Sequence, residues 1–273
     1  MKSFALALGA GGARGLAHVA VIEALDDLGV RPAAISGTSI GALVGACYAA
    51  GLTGKAIRRH VLDLMFNRAE IFRRLMDARA VALSSVLSAP FGNPVLLDAD
   101  KFCAAFVPEG VPDDFSALAI PLHLVATDLH DRRELVFSSG ALKPAIAASM
   151  AIPGLVRPIE VDGRVLVDGG AVDPLPFTQL RGTADVIIAV DCSGEHGESG
   201  KVPGPWESIW ATITVMGQVI VAEKLKAGAP DLVLRPKVGF FGMLDFLQGS
   251  AILRVAERSL PEIKDKVAAL LGD

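Results

Sequence analysis

The chain has 273 residues, 52% of them hydrophobic but only 5% aromatic, and a net charge of −4. That balance excludes a nucleic-acid binder working by bulk electrostatics, and the length admits one large α/β domain or two small ones. A core built from Ala, Val, Leu and Ile suits a parallel sheet covered by helices.

The first strand is expected at Phe4–Leu8, uniformly apolar and ending in glycines. The run is too short for the apolar core of a leader peptide and enters a loop carrying Arg14, so it is read as a buried strand. The loop Gly9-Ala10-Gly11-Gly12-Ala13-Arg14-Gly15 leads into a helix over Leu16–Leu28, closed by Gly29. A second strand, Ala33–Ser36, follows Pro32 and turns through Gly37-Thr38-Ser39-Ile40-Gly41 into a helix over Ile40–Ala50. That helix is apolar almost all round, which marks it as buried.

Residues 55–115 lose the strand pattern and are expected to form a helical cap-like insertion in a single domain spanning 1–273. Strands return at Pro121–Asp128, Glu134–Ser138, Arg164–Val167, Val186–Asp191 and Asp231–Arg235. Helices are expected at 141–149, 206–227 and about 245–270. The alternation predicts an α/β, three-layer fold with a mostly parallel central sheet flanked by helices. No free-standing apolar stretch is long enough to span a membrane, Ile209–Ala222 included. Cys47, Cys103 and Cys192 are odd in number and far apart, which suggests free thiols in a reducing, cytoplasmic setting and no zinc site.

Chemistry concentrates in three places. Gly37-Thr38-Ser39-Ile40-Gly41 is a G-x-S-x-G pattern between a strand and a helix, the context in which a serine is pushed out as a nucleophile. An ordinary helix cap is the plainer alternative. The glycine loop also sits between a strand and a helix. A dinucleotide fingerprint is one reading, but the second strand ends in Ile35-Ser36-Gly37 with no acid to hold a ribose. The other reading is an oxyanion hole using the amides of Gly11, Gly12 and Arg14; a simple tight turn is the third. Leu166-Val167-Asp168-Gly169-Gly170 puts a carboxylate at a strand end, where Asp-Gly also serves a common turn. Of the five histidines, His196 alone fits a Ser…Asp…His order.

The glycine loop through His18, the Gly-Thr-Ser-Ile-Gly pentad, Ser149-Met150-Ala151-Ile152-Pro153-Gly154 and Val167-Asp168-Gly169-Gly170 occur in this order. Together they resemble the patatin-like phospholipases, above all the bacterial members akin to the neuropathy target esterase domain. The resemblance runs from the first strand to about Asp191 and more weakly through 231–258. It departs at Ala10, where many relatives carry glycine. It implies a patatin-like fold and a dyad of Ser39 as nucleophile and Asp168 as base. It implies an oxyanion hole at Gly11, Gly12 and Arg14, helped by the Ile40 N–H, and no metal or cofactor. The substrate implied is a lipid or other acyl ester, with acyl transfer to an alcohol also open.

Two features, one basic and amphipathic and one apolar, suggest peripheral membrane contact. Residues 55–79 carry seven Lys/Arg against three acids, and Phe240, Phe241, Met243, Leu244, Phe246 and Leu247 are clustered. Packing on the core is the plainer expectation for both. The competing functions are a Ser-His-Asp triad through His196, a nucleotide-dependent oxidoreductase, and a non-catalytic lipid-binding module.

Overall fold

The computed structural model describes residues 1–67, 97–194 and 204–272, together with the single positions 73, 76 and 202. Its elements in order are β1 (Phe4–Leu8), α1 (His18–Leu28), β2 (Ala34–Thr38), α2 (Ile40–Ala49), α3 (Gly54–Phe66), α4 (Ala99–Phe106), β3 (Leu122–Asp128) and β4 (Arg133–Phe137). They continue with α5 (Leu142–Ser149), β5 (Ile159–Val161), β6 (Arg164–Asp168), β7 (Val186–Val190), α6 (Pro205–Ala227), β8 (Leu232–Leu234), α7 (Gly249–Glu257) and α8 (Leu260–Gly272).

The described strands form one sheet in the order β5-β6-β3-β2-β1-β7-β8, with β4 also paired to β3. From β8 through β7, β1 and β2 to β3 every pairing is parallel. Beyond β3 the pairings with β4 and β6, and of β5 with β6, are antiparallel. The sheet is thus mostly parallel, as expected, with an antiparallel end.

The pleat sorts β1 by size. Phe4, Leu6 and Leu8 enter the large core shared with α1, α2, α7 and α8, whereas Ala5 and Ala7 face a thinner layer with Leu175, Phe177, Leu180 and Val221. Both faces are dry, so the strand reads as continuously apolar. Close packing has a second cause in α2. A Cβ on Gly41 would collide with the Leu8 carbonyl, so glycine there lets the helix sit directly on the end of β1.

Three expectations need correction. The helix expected at Leu16–Leu28 begins as a 3₁₀ turn over Gly12–Ala17, and α-geometry starts only at His18. The single helix expected over 245–270 is a 3₁₀ turn at Phe246–Gln248 followed by α7 and α8. The break falls just before Pro261, which lacks the N–H needed inside a helix but fits a first turn. Strand β5 was not anticipated. It pairs with β6 across the two-residue turn Asp162-Gly163, both residues having positive φ, which is the chemistry of a tight hairpin.

Of the expected cap over 55–115, residues 68–96 lie outside the described residues apart from 73 and 76. At one flank α3 buries Ile57 and Val61. Its Arg58 pairs with Glu23 of α1 at 2.5 Å and with Glu257 of α7 at 3.6 Å. That part of the basic segment is therefore spent on internal packing.

Gly41→Ala is expected to cost about 2–4 kcal/mol or prevent folding, because backbone opposes the added methyl. Gly110→Ala, which meets only Leu52 Cδ1 at 3.4 Å, should stay within about 0.5 kcal/mol. Urea denaturation of the two variants distinguishes the cases.

Candidate active site

β3 offers one edge to β4 along Leu124–Asp128. Its other edge is used twice. β2 pairs there as far as Thr38 opposite Val125, and β6 takes over with Asp168 opposite Ala126. The last residue of β2 and the last residue of β6 therefore abut, and Ser39 follows directly.

Ser39 has φ 58° and ψ −124° and forms the N-cap of α2. A positive φ is uncommon for a residue with a side chain and has to be held by its surroundings. Its carbonyl accepts from the amides of Ala42 at 2.9 Å and Leu43 at 3.2 Å. Its amide donates to Ser149 Oγ at 2.9 Å, and that hydroxyl donates to the Val125 carbonyl at 2.6 Å. Thr38 Oγ1 donates to the Asp173 carbonyl at 2.8 Å. The turn is thus fastened on both sides of the serine.

Ser39 Oγ donates to Asp168 Oδ2 at 2.6 Å. The other carboxylate oxygen, Oδ1, accepts from Gly170 N at 2.7 Å. The Asp168 backbone is held by Thr127 Oγ1 on its carbonyl at 2.8 Å and by the Ala151 carbonyl on its amide at 2.9 Å. Both side chains are buried. Burial pushes the Asp168 carboxyl up to about 6, against the opposing hydrogen bonds from Ser39 and Gly170.

Ser149 was missed as a positioning residue. Its signal was in the Ser149–Gly154 motif, which the resemblance flagged without a role. Through Ser149 Oγ and the Ala151 carbonyl, this segment secures Ser39 and Asp168 together.

The glycine loop lies on the same cleft. Gly9 and Ala10 spend their amides on the carbonyls of Val190 and Pro174, at 3.0 and 2.8 Å, and Ala13 spends its own on Met243 at 2.8 Å. Gly11 caps the 3₁₀ turn and Gly12 opens it, so neither amide has an acceptor within the turn. Gly12 has φ 57°, and a Cβ there would strike the Met243 carbonyl, so the position needs glycine. In a 3₁₀ turn capped at Gly11, the Arg14 amide already faces the Gly11 carbonyl. The Arg14 Nε also donates to that carbonyl, at 3.3 Å. Ile40 opens α2, so its amide too lacks an acceptor within the helix.

His18 lies behind the loop, its Nε2 2.7 Å from the Gly9 carbonyl, which fixes Nε2 as the donor. Cys192 Sγ lies 3.6 Å from the ring's other nitrogen, Nδ1. Full burial pushes the protonation of the His18 ring down to about 4. It is a neutral brace for the loop. His60 binds the Phe106 carbonyl at 2.8 Å, and His196 lies outside the described residues.

The cleft holds about 180 Å³ and is lined by Gly11, Gly12, Ser39 and Asp168 on one side and by Trp210, Ile213, Gly217 and Ile220 of α6 on another. It is mostly apolar.

An α/β sheet with a serine at a strand-to-helix turn, bonded to a buried carboxylate beside a glycine loop, is an arrangement in which a hydroxyl can pass its proton to a carboxylate. The chain belongs to the patatin-like phospholipase family, whose model matches residues 6–181. It is similar to an uncharacterised NTE family protein of Mycobacterium tuberculosis (strain ATCC 25618 / H37Rv), 41% identical over 202 residues, covering 74% of this chain and 52% of that protein. It is also similar to Lysophospholipase NTE1 of Coccidioides immitis (strain RS), 28% identical over 97% of this chain but 18% of that protein. The chain thus spans about half the length or less of these curated relatives. Among solved structures, VipD from Legionella pneumophila superposes with a TM-score of 0.49 at 14% identity, covering 97% of this chain and 67% of that one.

A prediction follows from the Asp168 burial. Its carboxyl titrates near 6 in the folded protein and near 3.9 when unfolded. Its stabilising contribution is therefore complete below about pH 4 and is lost as pH rises through about 6. Asn at this position still offers an acceptor to Gly170 and a donor to Ser39. Asp168→Asn should therefore gain on the parent between pH 4 and 7, by up to about 2–3 kcal/mol. Thermal denaturation across pH checks this, and a difference that does not grow with pH would contradict it.

Proposed function

We propose that the chain is a serine hydrolase of lipid acyl esters, working through Ser39 and Asp168 with an acyl-enzyme intermediate. The observation that carries this reading is the 2.6 Å bond from Ser39 Oγ to Asp168 Oδ2. The carboxylate takes the Ser39 proton as Oγ attacks the ester carbonyl carbon. The C=O electron pair moves to oxygen, which the amides of Gly11, Gly12 and Ile40 hold. Arg14, first expected as an amide donor, is assigned to bracing the loop through the Gly11 carbonyl.

When the tetrahedral centre collapses, the leaving alcohol takes the proton from Asp168. Water, deprotonated by the same carboxylate, then attacks the acyl-serine; the acid departs as Ser39 Oγ takes the proton back from Asp168. The raised pKa of Asp168 makes it a better base than an ordinary carboxylate and sets an acid limit on activity. A triad through His196 is less favoured, since the acceptor for Ser39 is already Asp168.

The apolar cleft and the name of the lysophospholipase relative support a lipid ester, with lysophospholipid first among the candidates. A substrate of that kind is met at a membrane surface. Among the described residues no helix is long and apolar enough to cross one.

The test is hydrolysis of p-nitrophenyl esters of rising chain length, then of lysophosphatidylcholine. Ser39→Ala and Asp168→Asn should each lower kcat/KM by about 10³-fold or more while staying folded. Either variant keeping near-parental turnover would overturn the dyad. In the parent, kcat/KM should fall on the acid side with an apparent pKa near 6, the value to which burial lifts Asp168. A limb near 4 would remove Asp168 as the titrating base.

A further inference from the structure

We infer that the mouth of the cleft is a docking surface for a lipid bilayer, formed by the outward face of α6 and by Phe240, Leu244 and Leu247. The identity of the partner rests on the lipid-ester reading above; the existence of the surface rests on α6 itself.

Fifteen consecutive residues of α6, Ser208–Ala222, carry no charge. Helices apolar on every side belong in a protein core or in lipid. Here one side is used inward. Trp210, Thr214, Gly217 and Ile220 line the cleft, and Val221 joins the thin core layer under the sheet. The other side stands in solvent, where Val215, Met216 and Val219 are 55–58% exposed and Ile209 is exposed as well.

The helix is tied down mainly near its C-terminal end. There Lys224 Nζ lies 2.6 Å from the buried Asp173 carboxylate. Toward the N-terminus, the Gln218 side chain donates to the Gly194 carbonyl at 2.7 Å.

Across the cleft, Met243 lines the opposite wall, and its neighbours point away. Phe240 is 69% and Leu247 77% exposed, and Leu244 is exposed too, whereas Phe241 is buried. The cluster expected from sequence to pack on the core is therefore divided between core and solvent.

Three observations point to lipid as the occupant. The exposed patch is continuous with the cleft, because Ile213 and Met216 belong to both. An acyl chain leaving a bilayer through this mouth would reach Ser39 without crossing water. The uncharged run is about 22 Å long, short of the ~30 Å hydrocarbon core, so it suits a helix lying along the interface and not across it. The patch also flanks the oxyanion loop, since the Met243 carbonyl holds the Ala13 amide at 2.8 Å.

The test uses the Ser39→Ala chain, which binds without turnover, in flotation with vesicles of phosphatidylcholine and of phosphatidylcholine with phosphatidylglycerol. It should float with both. Val215→Asp/Val219→Asp and Phe240→Asp/Leu247→Asp, which leave the cleft lining untouched, should each weaken partitioning about tenfold or more.

In the Ser39 background the same pairs should lower hydrolysis of vesicle-borne lysophospholipid by a similar factor. kcat/KM on water-soluble p-nitrophenyl butyrate should stay within about twofold. Failure to float, flotation on anionic vesicles alone that the four substitutions leave unchanged, or equal losses on both substrates would overturn the docking surface. A dimer in sedimentation that the substitutions dissolve would overturn it in favour of self-association. Absence of ester hydrolysis with flotation intact would instead refute the proposed function and leave the surface standing.

Discussion

One edge of β3 can pair with one strand at a time, and two strands compete for it. β2 occupies it to Val125 and β6 from Ala126 onward. The handover puts two strand ends side by side, one parallel to β3 and one antiparallel. Each continues into a tight turn that presents a side chain, Ser39 from one and Asp168 from the other. The 129 residues between them in sequence matter little, because the ladder fixes their register. Ser149, Thr127 and Ala151 then lock the two turns to β3 and to each other.

Much of the fold was legible in the residues. β1 was readable because both its faces are buried, and the helices α1 and α2 because Gly29 and Gly51 mark their ends. β5 was not, because three residues carry too little periodicity to register beside the Asp162-Gly163 turn that joins them to β6. The division of the C-terminal helix at Ser259 was obscured by an apolar spacing that runs through the break. Antiparallel pairing of β6 could not be read at all, since strand direction is decided by the path of the chain and not by local composition.

At the site, Ser39 and Asp168 were visible through their motifs, but their contact was not, being a matter of β3 register. Arg14 shows the reverse limit. Its place in the glycine loop suggested an amide donor, yet the loop closes into a 3₁₀ turn whose own hydrogen bonding directs that amide inward. Ser149 needed the structure because a serine in a helix ordinarily faces solvent or its own backbone.

The electrostatics of the pair set stability against reactivity. A carboxylate held in a dry site beside a hydroxyl is more basic than one in water, and the folded protein carries that cost at neutral pH. Asp173, also buried, is matched by the Lys224 ammonium, whereas among the described residues Asp168 is met by neutral donors, Ser39 and Gly170. Two buried acids five residues apart are thus treated differently: one is paired with an ammonium as a fastening, the other held by a hydroxyl and a backbone amide.

The shared edge of β3 also orders events during synthesis. Ser39 and its turn are made before the acceptor for its hydroxyl proton, which belongs to β6 and follows 129 residues later. Non-local strand pairing of this kind forms late in folding. A ribosome-bound chain that has not yet released residue 168 therefore holds Ser39 without the carboxylate that accepts its hydroxyl proton, and the Ser39–Asp168 bond forms only when β6 docks.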